Sequence, residues 1–125
     1  MTKILVVDDD PRNLRLAVAV LEKGGYEVLA AGGGAEGVAM ALAHLPDMVL
    51  MDVLMPQIDG IAALERLRAD PRTAAIKVAA LTALAMQGDR ERLLVKGFDA
   101  YLSKPIRYKP FLASVAALLG GEASR

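Results

Sequence analysis

Short apolar runs alternate along the chain with longer stretches of helical period, and the alternation repeats five times. Ile4 to Val7 is a β-branched run that ends in acid. Leu14, Ala17, Val18 and Leu21 then fall at i, i+3, i+4 and i+7, the stripe of an amphipathic helix. That helix is predicted to stop at Gly24-Gly25. Residues 26–31 read as a second strand. Residues 35–45 read as a helix halted before Pro46, because the residue preceding a proline is steered away from helical geometry. The third strand is expected over 48–51 with a helix over 61–68, and the fourth over 76–81 with a helix over 89–96. A fifth strand over 99–102 precedes a closing helix over 108–119, and the tail from Gly120 to Arg125 is expected to fray.

Strands that alternate with helices imply parallel pairing through right-handed crossovers. The first, third and fourth strands are apolar runs, broken only by Lys77 near the start of the fourth, as expected when helices cover both faces of a sheet. Five such units predict an open, doubly wound α/β fold, one domain over residues 1–125 with its core at about 3–119. No linker, second domain or low-complexity tract interrupts the pattern.

Composition narrows the function classes. Apolar residues make up 54% of the chain but aromatics only 4%, so Leu, Val, Ala and Met must build the core. Fifteen basic residues balance fifteen acidic ones, which argues against direct nucleic-acid binding. The absence of cysteine removes disulfides and thiolate metal sites, and with a single histidine, His44, it also argues against zinc chemistry. The N-terminal apolar run is too short for a signal peptide, and no run approaches the roughly 18 residues of a membrane span. A soluble, cytoplasmic protein is expected.

The carboxyl ends of the apolar strands carry the candidate chemistry. The first strand ends in Asp8-Asp9-Asp10, the third in Asp52 and the fourth in Thr82, while the fifth leads to Lys104. Ligands of open parallel sheets bind beyond the carboxyl ends of the strands. Several carboxylates, one hydroxyl and one amine should therefore converge on one surface. Grouped carboxylates repel and must take up a proton or a cation. Mg²⁺ suits them, since it favours oxygen ligands and commonly bridges one or two carboxylates to a phosphate. An aspartate can itself be the nucleophile, giving an aspartyl phosphate, and phosphoryl transfer asks mainly for positioning and charge neutralisation. Asp10, just before Pro11, reads as a helix N-cap with proline at the first helical position, leaving Asp8 and Asp9 for the metal. Asp59-Gly60 reads as a turn, Met48, Met51 and Met55 as core packing, and His44 as solvated.

A competing motif lies at Gly32 to Gly37, which matches G-x-G-x-x-G between a strand and a helix, with Asp52 downstream as a conceivable ribose acid. It follows the second strand, whereas the dinucleotide loop usually follows the first. Here the first strand carries three carboxylates that would repel a pyrophosphate lacking a metal. The simpler account is a flexible strand-to-helix loop with weak helix initiation.

Along nearly its whole length the sequence resembles bacterial response-regulator receiver domains, the CheY-like family. The matching pieces are Lys3 to Asp9, Met51-Asp52-Val53-Leu54-Met55-Pro56 with Asp59-Gly60, Leu81-Thr82-Ala83, and Tyr101-Leu102-Ser103-Lys104-Pro105. Ala85 to Arg90 is similar to single-domain DivK-type regulators and to receivers fused to hybrid kinases. The resemblance implies a flavodoxin-like (βα)5 sheet in the order 2-1-3-4-5 and a two-component phosphorelay role. In that role Asp52 accepts a phosphoryl group from a phosphohistidine of a histidine kinase or histidine phosphotransfer protein. It further implies Mg²⁺ held directly by Asp9, Asp52 and the backbone carbonyl of Leu54, with Asp8 acting mostly through water. Thr82 and Lys104 would bind phosphoryl oxygens, beside a small Ala83 and a cis Lys104-Pro105 bond. Thr82 and Tyr101 would act as switch residues that remodel the face of the fourth helix, fifth strand and fifth helix for a downstream protein target.

On this reading the chain is not an enzyme beyond self-catalysed phosphoryl acceptance and autodephosphorylation. It has no output domain, does not insert in membranes, and is a monomer or a weak phosphorylation-dependent dimer. The positions of Met1 and of the last helix favour a stand-alone form over a receiver excised from a hybrid kinase. An NAD-binding domain and a purely structural pseudo-receiver are the alternatives. Leu54 and Leu84 stand two residues after Asp52 and Thr82, where apolar side chains would fail to orient a hydrolytic water, so slow autodephosphorylation is expected.

Overall fold

The apolar run after Thr2 forms β1 (Lys3–Val7). The computed structural model describes residues 1–83 and 88–120. From β1 the chain passes through α1 (Pro11–Lys23), β2 (Glu27–Ala31), α2 (Gly34–His44), β3 (Met48–Met51) and α3 (Gly60–Ala69). It then continues through β4 (Lys77–Thr82), α4 (Asp89–Lys96), β5 (Ala100–Ser103) and α5 (Tyr108–Leu118). Every pairing is parallel, in the order β2-β1-β3-β4-β5, with Val6 opposite Leu50, Met51 opposite Ala80 and Thr82 opposite Ser103. The expected flavodoxin-like topology is therefore present. Predicted and observed boundaries agree for β3 and α4 and differ by about a residue elsewhere. The tail from 121 onward, predicted to fray, lies outside the described residues, as does the 84–87 stretch that includes Leu84.

Side chains alternate across a strand, so a strand covered on both faces must be apolar at every position. Leu5, Val7, Val49, Met51, Val78 and Ala80 point to one face, where they meet Ala41 of α2, Leu64 and Leu67 of α3, and Leu93 of α4. Ile4, Val6, Met48, Leu50, Ala79 and Leu81 point to the other and meet Ala17 and Leu21 of α1 and Phe111 and Val115 of α5. Each fully buried Leu or Val contributes about 1.5–3 kcal/mol. Met48, Met51 and Met55 are all buried in these layers, which is the packing role expected of them.

Capping fixes where the helices begin at the carboxyl edge of the sheet. The Asp10 side chain accepts from the Arg12 N–H, with Pro11 opening α1 as the sequence predicts. Asp59, read as a turn residue, is instead the N-cap of α3 and accepts from the Ala62 N–H at 2.9 Å. The glycine-rich stretch also differs from its sequence reading. Gly34 and Gly37 are buried, and each brings α2 close to another segment. A Cβ on Gly34 would overlap the Ile58 carbonyl oxygen, and one on Gly37 would lie 2.7 Å from a Val7 methyl. The loop's Gly32 N–H is taken by Glu36 Oε1 at 2.9 Å. These glycines serve close packing of α2 rather than looseness of a loop.

Candidate functional site

β1 and β3 are neighbours in the sheet, but the helices that follow them lie on opposite faces. The crevice at their carboxyl ends is the topological switch point, where such sheets bind ligands. Asp8 follows β1 directly and Asp52 follows β3. Their backbones are locked to the adjacent strands: Asp8 N–H donates to Ala31 O at 3.1 Å, and Asp52 N–H donates to Val7 O at 2.9 Å. Both side chains are buried, Asp8 being 2% and Asp52 7% exposed, while Asp9 stands exposed between Asp8 and the Asp10 cap. One carboxylate oxygen from each of Asp8, Asp9 and Asp52 lies within 4.8 Å of the others.

Lys104 reaches this cluster from the segment after β5. Its Nζ donates to Asp8 Oδ2 at 2.7 Å and to Asp52 Oδ2 at 3.0 Å. The remaining oxygens are held by local amides, with Asp10 N–H donating to Asp8 Oδ1 at 2.9 Å and Leu54 N–H to Asp52 Oδ1 at 3.1 Å. Burial pushes the Asp52 carboxyl above the ordinary carboxylate range, with the Asp8 charge adding to it, although the Lys104 ammonium pulls the other way. Burial alone would depress Lys104, but its hydrogen bonds to Asp8 and Asp52 outweigh that and raise its pKa. Three carboxylates thus face one ammonium in a partly desolvated crevice. That surplus of negative charge, with oxygen-only donors, fits a hard divalent cation such as Mg²⁺.

Thr82 is fully buried as the last residue of β4, and its carbonyl accepts the Lys104 N–H at 3.0 Å, which sets it beside the lysine. Lys104-Pro105 is cis, as expected. Tyr101 pairs with Ala80 in β5 and is half-buried against the core on the α2, α3 and α4 side. Leu54 projects its side chain outward, 58% exposed. His44 ends α2 exposed, as predicted. The structure thus brings Asp8, Asp9, Asp52 and Lys104 together, while the glycine motif packs α2 against Val7 and Ile58.

Gly60, read from sequence as part of a turn, has a packing role against the Asp52 backbone that sequence reasoning missed. A Cβ there would overlap the Asp52 carbonyl oxygen and lie 2.8 Å from Val53 Cα, and the Gly60 N–H donates to Val53 O at 3.0 Å. A glycine opening a helix directly after its cap is the one local hint, since that position favours better helix formers.

Fold and acidic pocket together define a signalling receiver of the CheY type rather than a dinucleotide-binding domain. A family model described as the response regulator receiver domain matches residues 4–116, and the chain belongs to that family, the receiver domain of two-component systems. It is 37% identical over 121 residues to the polar-differentiation response regulator DivK of Brucella ovis, covering 96% of this chain and 98% of that protein. Among solved structures, a putative response regulator from Chloroflexus aurantiacus superposes with a TM-score of 0.89 at 32% identity, covering 95% of this chain and 98% of that one. The receiver domain of a sensor histidine kinase from Pseudomonas aeruginosa gives 0.87 at 34% identity, with coverage of 95% and 98%. That crystal structure has a magnesium ion coordinated in its active-site cleft.

Proposed function

We propose that this receiver accepts a phosphoryl group on Asp52 from a phosphohistidine of a histidine kinase or phosphotransfer protein. The observation that carries the reading is the Lys104 ammonium bonded at once to Asp8 and Asp52, within a cluster completed by Asp9. One Asp52 carboxylate oxygen attacks phosphorus. The P–O bond forms as the P–N bond breaks, and that electron pair leaves with the imidazole nitrogen. The attacking carboxylate must be ionised, and Lys104 opposes the burial that favours its protonated form. Asp9, Asp52 and the Leu54 backbone carbonyl would hold Mg²⁺ directly, with Asp8 acting through water. Bound there, the ion would neutralise charge on the transferring phosphoryl oxygens. Lys104 and the Thr82 hydroxyl bind the remaining phosphoryl oxygens.

Engagement of Thr82 by the phosphoryl group biases Tyr101 and the α4-β5-α5 face toward a state that a downstream protein recognises. Moving that equilibrium from 1:99 to 99:1 takes about 5.5 kcal/mol of preference for one state. The test is intact mass after incubation with acetyl phosphate, with and without Mg²⁺, on the native chain and on Asp52→Asn. A Mg²⁺-dependent gain of one phosphoryl group, lost in the variant, is expected. No gain under any condition would reduce the chain to an interaction module.

A further inference from the structure

The glycine motif at the start of α2 reaches the segment that follows Asp52. Residues 53–59 form the segment between Asp52 and α3, and it carries the Leu54 carbonyl and amide. Glycine contacts hold this segment at both ends. At its start, Gly60 lies flat against the Asp52-Val53 peptide, with no room for a Cβ. At its end, Gly34 of α2 lies against Ile58, where a Cβ would overlap the carbonyl oxygen and sit 2.9 Å from Cγ2 and 3.1 Å from Cβ. Neither contact can be relieved by rotating a side chain, because each is made with main chain. Gly33, one residue earlier, has nothing within 4 Å of its would-be Cβ and an extended φ of −174° that any residue adopts.

We propose that Gly34 is a positioning residue for the Asp52 site: the approach of α2 to the Ile58 carbonyl, opposed by Gly60 at the other end, fixes the segment that presents Leu54 to the acidic cluster. The inference rests on the phosphoryl-acceptor reading above. An alanine at 34 pushes Ile58 away from α2, and the shift is transmitted along a segment whose far end is pinned at Asp52. The Leu54 carbonyl and the amide that holds Asp52 Oδ1 move with it. An alanine at 33 alters the helix start without touching the segment.

The experiment compares the native chain with Gly34→Ala and Gly33→Ala. It measures Mg²⁺ affinity by calorimetry, the rate of phosphorylation by acetyl phosphate at saturating Mg²⁺, and the melting temperature. The expected result is a tenfold or greater weakening of Mg²⁺ binding in Gly34→Ala with a slower phosphorylation rate, and native values in Gly33→Ala. A change in melting temperature alone, with native Mg²⁺ affinity and rate in Gly34→Ala, overturns the proposal. Should Gly34→Ala not fold, Ile58→Ala is the second probe, since it removes the side chain packed on Gly34 but keeps the carbonyl. Native Mg²⁺ affinity is expected there, because the carbonyl still meets Gly34, and a severalfold loss would assign the positioning to the Ile58 side chain and overturn the proposal. Failure of the native chain itself to take up phosphate would instead refute the acceptor reading on which the proposal rests.

Discussion

The two edges of the sheet solve the same problem, charged groups at strand ends, in opposite ways. At the amino edge, Arg68 of α3 donates to the carbonyls of Ala74 and Ile76, to Gly97 O at 3.1 Å and to Asp99 Oδ2 at 2.9 Å. Asp99 Oδ2 also accepts the Val78 N–H at 2.8 Å. One guanidinium therefore meets one carboxylate and three carbonyls, and the Arg68–Asp99 pair is partly open to solvent. At the carboxyl edge, one ammonium faces three carboxylates, two of them buried. The first arrangement is complete as it stands and staples α3, α4 and β5. The second is short of positive charge, and that shortage, rather than burial or hydrogen bonding as such, separates a site from a staple.

The sharpest way to break this contrast is to remove each cation in turn. Lys104→Ala leaves Asp8 and Asp52 facing each other without a counter-charge, and should cost roughly 3 kcal/mol in chelator-treated protein. Urea melts should show much of that loss recovered on adding Mg²⁺, which takes over the neutralisation. An unchanged midpoint in chelator would mean that the carboxylates were never short of charge. Arg68→Ala is expected to cost about 2 kcal/mol through lost charge-assisted hydrogen bonds. Phosphoryl acceptance from acetyl phosphate should stay native, and its loss would show that the amino edge is also part of the site.

The smallest effect is the most diagnostic. Because the folded-state pKa of Asp52 is raised, its contribution to stability is present below the unfolded value of 3.8 and lost as pH rises through the folded one. Asp52→Asn, which mimics the neutral form, should therefore melt a few degrees above the native chain at pH 7 without Mg²⁺. That gain should vanish as pH falls toward the unfolded value. Circular dichroism melts across that range decide it, and a variant less stable than native at pH 7 would show that the Lys104 attraction outweighs desolvation.

How much could be read from sequence depends on the range of the interactions. β3 and α4 were legible to the residue because apolar runs and helical stripes are local. The Asp10-Pro11 cap was legible for the same reason. Asp59 was not, since a turn and an N-cap share the same aspartate-glycine text and differ only in which amide the side chain meets. Asp8, Asp9, Asp52 and Lys104 could be grouped because a parallel sheet carries all strand ends to one edge. That Lys104 meets both Asp8 and Asp52 took the fold itself, as the lysine lies 96 residues from one and 52 from the other. The Gly34 contact was illegible in principle, whereas Gly60 left only the hint of its place directly after a cap. A missing Cβ leaves no periodicity, and its partner at Gly34 is a carbonyl in a distant loop.

The aspartate run after β1 has a consequence for anyone comparing or editing such sequences. Asp8 is buried and bonded to Lys104, Asp10 caps α1, and Asp9 alone faces outward. Deleting any one of the three yields the same text, two aspartates before proline. The strand-end acid and the cap would both still be spelled correctly, so the deletion would look conservative in an alignment. What disappears is the middle letter, the only one whose oxygens are free to leave the protein's own bonding. In a run of identical residues, position is the whole of the information.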